Sequence, residues 1–381
     1  MRQFLVLSSV CSLALGCNTT TTPVDGGSDA TVLVDGGSDG GTLVVDGGAD
    51  AGPVVCSDDN CNGDHACVRG VCLLTCGADI GDFDTALASG LTVVQTVCHT
   101  PVAFAQVGTN VYELDADTTG TTTTFTLSRW ARGSEAPTMT TVGTTTFDGM
   151  TGDMTYPGGY VSVASDEMHA VFGFTTGPAA GHAAVGGVFD MATGTGTTAM
   201  IDALDNFDAE FLDATHFAID GKPTTGQGLY LGTTSGTTLT QALTNAGDAS
   251  GSVGVWGTSV LFGGLSLGSP WADGTMSGDR VLVLDTTAVL AATTPIDGST
   301  LTQLDMPSSF EVVSGDRVAY VEYDDSFMQL GIQTRALTRS GTGVVSVGTP
   351  VDIVTGHRFS SVAAAGEDIA LGFEAGILFV H

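Results

Sequence analysis

The chain is 381 residues long, and its 42% hydrophobic residues are enough for a sizeable core, which excludes a chain disordered throughout. Ten Lys and Arg stand against 42 Asp and Glu, a net charge of -32 that repels nucleic acid and anionic lipid headgroups. Only 14% of residues are charged while Gly numbers 54 and Thr is abundant, so a β protein rich in turns is expected and long amphipathic helices are not.

Arg2, an apolar run from Phe4 to Leu15 and the small residue Gly16 are the parts of a secretory signal, and the run is too short to span a bilayer. Cys17 stands directly after Gly16, so residues 1–16 resemble a bacterial lipoprotein signal, with Ala14 where that family prefers Leu. The resemblance implies that Cys17 is diacylated and becomes the mature N-terminus, that the protein is exported, and that it sits at the outer membrane or cell surface. No further stretch of 18 or more apolar residues occurs, so membrane attachment rests on the lipid.

Residues 17–53 repeat Val24-Asp25-Gly26-Gly27-Ser28-Asp29 as Val34 to Asp39 and again as Val45 to Asp50. Dense Gly and self-repelling Asp predict an extended, disordered tether. Calcium binding is the competing reading, but the alternating ligands that an EF-hand loop needs, ending in Glu, are missing. Such tracts behind a lipidated Cys resemble those of surface lipoproteins from myxobacteria.

A disulfide-rich module is expected over 54–80, where Cys56, Cys61, Cys67, Cys72 and Cys76 fall within 21 residues. So short a segment cannot bury a core, and in an exported chain cross-links replace it. Zinc is disfavoured because the paired Cys-x-x-Cys knuckles are absent. The spacing resembles short EGF-like or dickkopf-type modules. Five is odd, so one of these cysteines is expected to bond Cys98 and staple the module to the next domain.

Residues 90–381 read as short apolar strands broken by Gly, Asp, Asn and Thr, in a recurring order. Copies start near 102, 160, 211, 253, 310 and 359, a spacing of 42 to 58. A four-stranded propeller blade uses about 40 to 50 residues, so the fold class is all-β, a six-bladed β-propeller; seven blades or a pair of β-sandwiches are the alternatives. The last copy lacks a fourth strand, and Leu91–Val97 precedes the first copy without a blade of its own. The early strand is therefore expected to complete the last blade.

Catalytic signatures are absent. The histidines at 65, 99, 169, 182, 216, 357 and 381 are scattered singly, and there is neither a Gly-x-Ser-x-Gly elbow nor a phosphate loop. The densest carboxylates, Asp202, Asp205, Asp208, Glu210 and Asp213, then Glu322, Asp324 and Asp325, read as solvated turns. Asp115 and Asp117, in an Asp-x-Asp-x-x-Gly outline, are weak calcium candidates, and calcium is the only cofactor considered. Trp130, Trp256, Trp271, Tyr156, Tyr160, Tyr320 and Tyr323 are candidates for a ligand face, with strand packing expected to account for most of them. The leading expectation is a lipid-anchored surface propeller that binds a protein or glycan without catalysis, its partners being the membrane and that ligand, with no nucleic acid. A polysaccharide-active hydrolase or lyase with a carboxylate pair at the propeller mouth is one alternative, and a calcium-dependent adhesion protein the other.

Overall fold

The computed structural model describes residues 56, 61–133, 137–149, 153–177, 184–200, 208–221, 228–236, 238–244, 249–266, 278–307, 310–324, 328–359, 361–365 and 368–381. The signal, Cys17, the tether, His182, Asp202, Asp205, Trp271 and Asp325 lie outside these residues.

All six cysteines of the module region are paired, as Cys56–Cys67, Cys61–Cys72 and Cys76–Cys98. Strands β1 (His65–Val68) and β2 (Val71–Leu74) form a hairpin whose turn residues, Arg69 and Gly70, both have positive φ, 51° and 82°. That handedness matches the twist of the flanking strands. Arg69 also reaches away from the hairpin, donating to the carbonyls of Ala88, Leu91 and Leu87 at 2.7, 2.7 and 2.5 Å. Those carbonyls come just after the one-turn helix α1 (Phe83–Ala86), which leads into β3 (Val93–Val97).

Antiparallel meanders make up the rest of the chain. Strands β4 (Ala103–Val107), β5 (Asn110–Thr119), β6 (Thr122–Ala131) and β7 (Thr140–Asp148) make the first. The second consists of β8 (Asp153–Val163), β9 (His169–Gly177), β10 (Ala184–Asp190) and β11 (Thr195–Met200), and a parallel contact of Thr144 with Thr195 joins the two into one sheet. Next come β12 (Ala209–Phe211), β13 (His216–Gly221), β14 (Gly228–Thr233) and β15 (Thr240–Gln241), then the short β16 (Leu243–Thr244). Strands β17 (Ala249–Trp256), β18 (Ser259–Ser266) and β19 (Gly278–Asp285) run on through the helix α2 (Thr286–Ala291) and β20 (Ile296–Asp297), which pairs with β16, to β21 (Thr302–Leu304) on the edge of β19. After them β22 (Val312–Ser314), β23 (Arg317–Tyr323) and β24 (Gln329–Arg339) form a sheet in which both β25 (Val345–Val347) and β26 (Val351–Thr355) pair with β24. Strands β27 (Ser361–Ala365), β28 (Asp368–Phe373) and β29 (Gly376–Val380) come last, and β3 adds to β29 as their fourth strand, with Ile377 opposite Val97.

The first strands of these groups touch in the order β4, β8, β12, β17, β22, β27 and back to β4. The result is an all-β, propeller-like arrangement of small sheets, each presenting its first strand to a central channel. The copies recognised in the sequence start at or within a few residues of these inner strands. Between the inner and second strands, Gly108, Gly257 and Gly315 take φ near 55° in two-residue hairpin turns, a conformation that L side chains rarely adopt.

Period-two alternation builds the layers between sheets. Along β6, Thr123, Phe125 and Leu127 point inward, and Phe125 meets Phe172 and Phe174 of β9 at 5.0 and 5.3 Å between centroids. Glycine makes room for such rings: Phe172 lies opposite Gly187, and Phe217 opposite Gly232. A Cβ on Gly232 would stand 2.2 Å from the buried Phe217 ring. Gly232→Ala is therefore expected to cost about 1–3 kcal/mol through overpacking, read as a lower denaturant midpoint with unchanged m value. A variant as stable as the parent would show that the ring yields freely.

The module does not stand apart. Residues 55–381 form one compact unit, and Val68, Leu73, Ile80, Phe83 and Leu87 share a core with Ile353, Phe359, Leu371 and Leu378.

Candidate functional site

The inner strands enclose a cavity of about 440 Å³, reached by residues of β4, β8, β12, β17, β22 and β27. Its walls are mostly Val, Ala, Gly and Phe, among them Val102, Ala105, Val161, Val253, Val313 and Val362. Gln106, Tyr160, Ser162, Thr175, Ser252 and Ser361 add polar groups, and three carboxyl groups, Asp208, Glu210 and Glu311, line the cavity with them.

Asp208 precedes β12 and is fixed by backbone on both sides. Its amide donates to Asp220 Oδ1 at 2.7 Å, its carbonyl accepts from the Asp220 amide at 3.0 Å, and the Val253 amide of the neighbouring sheet donates to its Oδ2 at 3.2 Å. Burial holds the Asp208 carboxyl well above the usual carboxylate range, and the charges of Asp220, Glu210 and Glu311 push the same way. Burial also raises Glu210, to about 7, against a smaller opposing effect of the Ser162 hydroxyl. Glu311 rises to about 7 through burial alone. By surface area the Glu311 residue is exposed, on the channel, so the rise from burial is smaller there than for the half-buried Glu210. Tyr160 of β8 completes the group; burial, then the charges of Asp208 and Asp220, hold its hydroxyl in the neutral form far above its ordinary value.

Carboxyls that titrate near neutrality donate and accept hydrogen bonds in turn, and can give or take a proton at the pH of the medium. The cavity lies within the size range of small-molecule sites, roughly 300–1,000 Å³.

Asp208 and Glu210 belong to the densest acidic run, for which the sequence predicts a solvated turn; the structure instead puts them on the channel wall, because their segment enters an inner strand. Glu311 carries no acidic-cluster signal in the sequence. Its signal is positional: it comes right after Phe310 at the start of a copy, as Glu210 precedes Phe211 at the start of another. Asp213 does lie in an exposed turn, bonded to the amides of Thr215 and His216. Glu322 and Asp324 sit at the C-terminal end of β23, where Glu322 accepts from Gln333 at 2.9 Å and Asp324 from the Met328 amide at 2.8 Å.

Asp115 and Asp117 lie within β5 rather than in the turn that Gly120 makes, opposite Thr126 and Thr124. Among the described residues, the one group of three metal-ligating side chains within 4.8 Å is Cys56, Cys61 and Cys72, all in disulfides. Four of the described histidines pair singly with carboxylates: His65 with Asp64, His99 with Glu113, His216 with Asp213 and His381 with Asp368. Of the aromatic candidates, Tyr160 lines the cavity. Trp130 is core, Trp256 donates to Asp316 at 3.0 Å, Tyr320 bonds Gln333 at 2.8 Å, and Tyr323 is exposed. The Tyr156 side chain lies outside the described ones. Among the described residues, no helix is long and apolar enough to cross a membrane.

No family model matches the chain, and no curated protein does. Solved structures similar to it include the β-propeller domain of the Trilobed protease from Pyrococcus furiosus, at 10% identity over 77% of this chain and 82% of that one, with a TM-score of 0.35. Hydrazine synthase of Kuenenia stuttgartiensis is similar at 12% identity, covering 75% and 77%, with a TM-score of 0.44. A GH43 endo-arabinanase from Bacillus licheniformis is similar at 10% identity, covering 64% and 95%, with a TM-score of 0.34. Likenesses at this level say nothing of activity, and it is the strand pairing of the chain itself that makes it a propeller-like all-β protein.

Proposed function

We propose that this is an exported, lipid-anchored surface protein whose ring of six blades binds a glycan end in the central channel, without catalysis. The anchor rests on the Gly16-Cys17 pattern, and six blades on the six inner strands that touch in cyclic order. The observation that carries the binding reading is the convergence of Asp208, Glu210 and Glu311 on one cavity that mixes Val, Ala and Phe with Tyr160, Ser162, Ser252 and Ser361. A sugar hydroxyl donates and accepts at once, and so do carboxyls held near neutrality; apolar walls suit the CH faces of a sugar ring. A glycan screen on residues 54–381 tests this. Binding is expected to fall at least about tenfold in the double variant Glu210→Gln, Glu311→Gln, the loss of about 1.4 kcal/mol of hydrogen bonding. Equal binding by parent and variant would remove the channel as the site.

One observation favours a second reading, a polysaccharide hydrolase or lyase: two glutamates near pKa 7 in one cavity are suited to act as general acid and base. Release of new chain ends from a bound glycan, lost in either single Gln variant, would decide for it. If Cys17→Ala left the full chain in the membrane fraction, the lipid anchor would be refuted.

A further inference from the structure

The ring closes where β3 leaves the last sheet and the chain crosses, through Cys98 to Pro101, into β4 of the first. We propose that this crossover is a proton-sensitive clasp, in which protonated His99 is held on the buried carboxylate of Glu113 and deprotonation of His99 loosens the closure.

The geometry singles out this pair. Glu113, on β5, is fully buried, between Phe104 on one neighbouring strand and Ser128 on the other. His99 Nδ1 stands 2.5 Å from its Oε2, with the His99 side chain one-third exposed, so protons reach the imidazole from solvent while the carboxylate stays inside. The charged groups that act on His99 are Glu113 and, two residues further along the same face of β5, Asp115. Both are acidic. The hydrogen bond to Glu113 raises the His99 pKa above 6.5, burial works against it, and the charges of Glu113 and Asp115 add to the rise.

A histidine whose folded-state value is raised contributes stability that is fully present below the unfolded value of 6.5 and is lost as pH rises through the folded value. A second histidine, His381, lies at the same seam, its Nδ1 2.8 Å from Asp368 Oδ1. Arg132 pairs with Asp368 at 2.5 Å and lies 4.6 Å over the Phe379 ring, and Val97, Val111, Trp130, Ile377 and Phe379 share one core. The clasp relaxes the crossover, while the Arg132–Asp368 pair and this apolar core hold the two sheets together.

The channel carboxyls titrate in the same range, so overall melting mixes the two effects. Trp130 is a local reporter: it is buried at the seam, with its ring 6.1 Å from Phe379. In the full chain carrying Trp256→Phe and Trp271→Phe, Trp130 emission is expected to shift with pH, with a midpoint above 6.5, and the transition is expected to vanish in His99→Gln and in Glu113→Gln. His99 is partly exposed, so its variant keeps the fold even where loss of the buried carboxylate does not. A Trp130 signal flat between about pH 5.5 and 9, a range spanning the ordinary histidine value, or a transition that persists in His99→Gln, overturns the proposal.

Discussion

Phe83→Ala is expected to lower stability by about 3–5 kcal/mol, with the denaturant midpoint falling and the m value unchanged. The helix that carries Phe83 is one turn long and has no intrinsic stability of its own. Its place is fixed by the ring, which is 2% exposed and lies 4.8 Å from Phe359 and 5.3 Å from Phe373. Around that trio the module residues Val68 and Leu73 meet Ile353 and Val354 of β26 and Leu378 of β29. Removing the ring leaves a void that three different segments line, and β26 and β29 are held by sheet pairing and cannot move in to fill it. Truncating the exposed Val344 to alanine, by contrast, is expected to change stability by less than about 0.5 kcal/mol. A Phe83→Ala variant that lost under about 1 kcal/mol would mean that the module rests on the sheets without being wedged into them.

Much of the architecture is legible in the sequence because it repeats. The apolar strand, tight turn and second strand at each copy mark the inner pair of every sheet, and the surplus strand at Leu91–Val97 matches the deficit at the last copy. Counting cysteines also works, since five in a module force a partner outside it. Facing is not legible. Asp208, Glu210 and Glu311 look like any other acidic residues in a chain with 42 of them, and their difference arises only when inner strands from separate copies converge. The same holds for Glu113, one polar position in a strand, whose burial against His99 depends on a crossover that exists only once the ring closes. The Phe172–Gly187 and Phe217–Gly232 pairs are hidden for a related reason: strand register, which turns set, decides which glycine receives which ring.

Replacing both Cys76 and Cys98 by serine is expected to cost about 3 kcal/mol, more than either other disulfide. The bond closes a loop of sequence separation 22, against 11 for each of the module's internal pairs, and a doubled loop adds about 0.6 kcal/mol of unfolded-state entropy. Context widens the gap. Cys67 and Cys72 face each other across the β1–β2 hairpin, so backbone pairing already holds the neighbourhood of the inner bonds together. Cys98 instead sits at the end of the closing strand, beside His99 and the crossover into β4. Losing its bond frees the module side of that crossover, leaving the Thr96 hydroxyl on the Leu74 carbonyl at 2.9 Å, the Arg69 contacts and the shared core around Val68 and Leu73 to hold the hairpin in place. The double variant is best unfolded under oxidising conditions with Cys56–Cys67 and Cys61–Cys72 verified by peptide mapping. Its midpoint should drop further than that of a Cys61, Cys72 double serine variant. The reverse order would place the weight of the region in the module's internal cross-links, and the view of Cys98 as the staple of the ring would have to be given up.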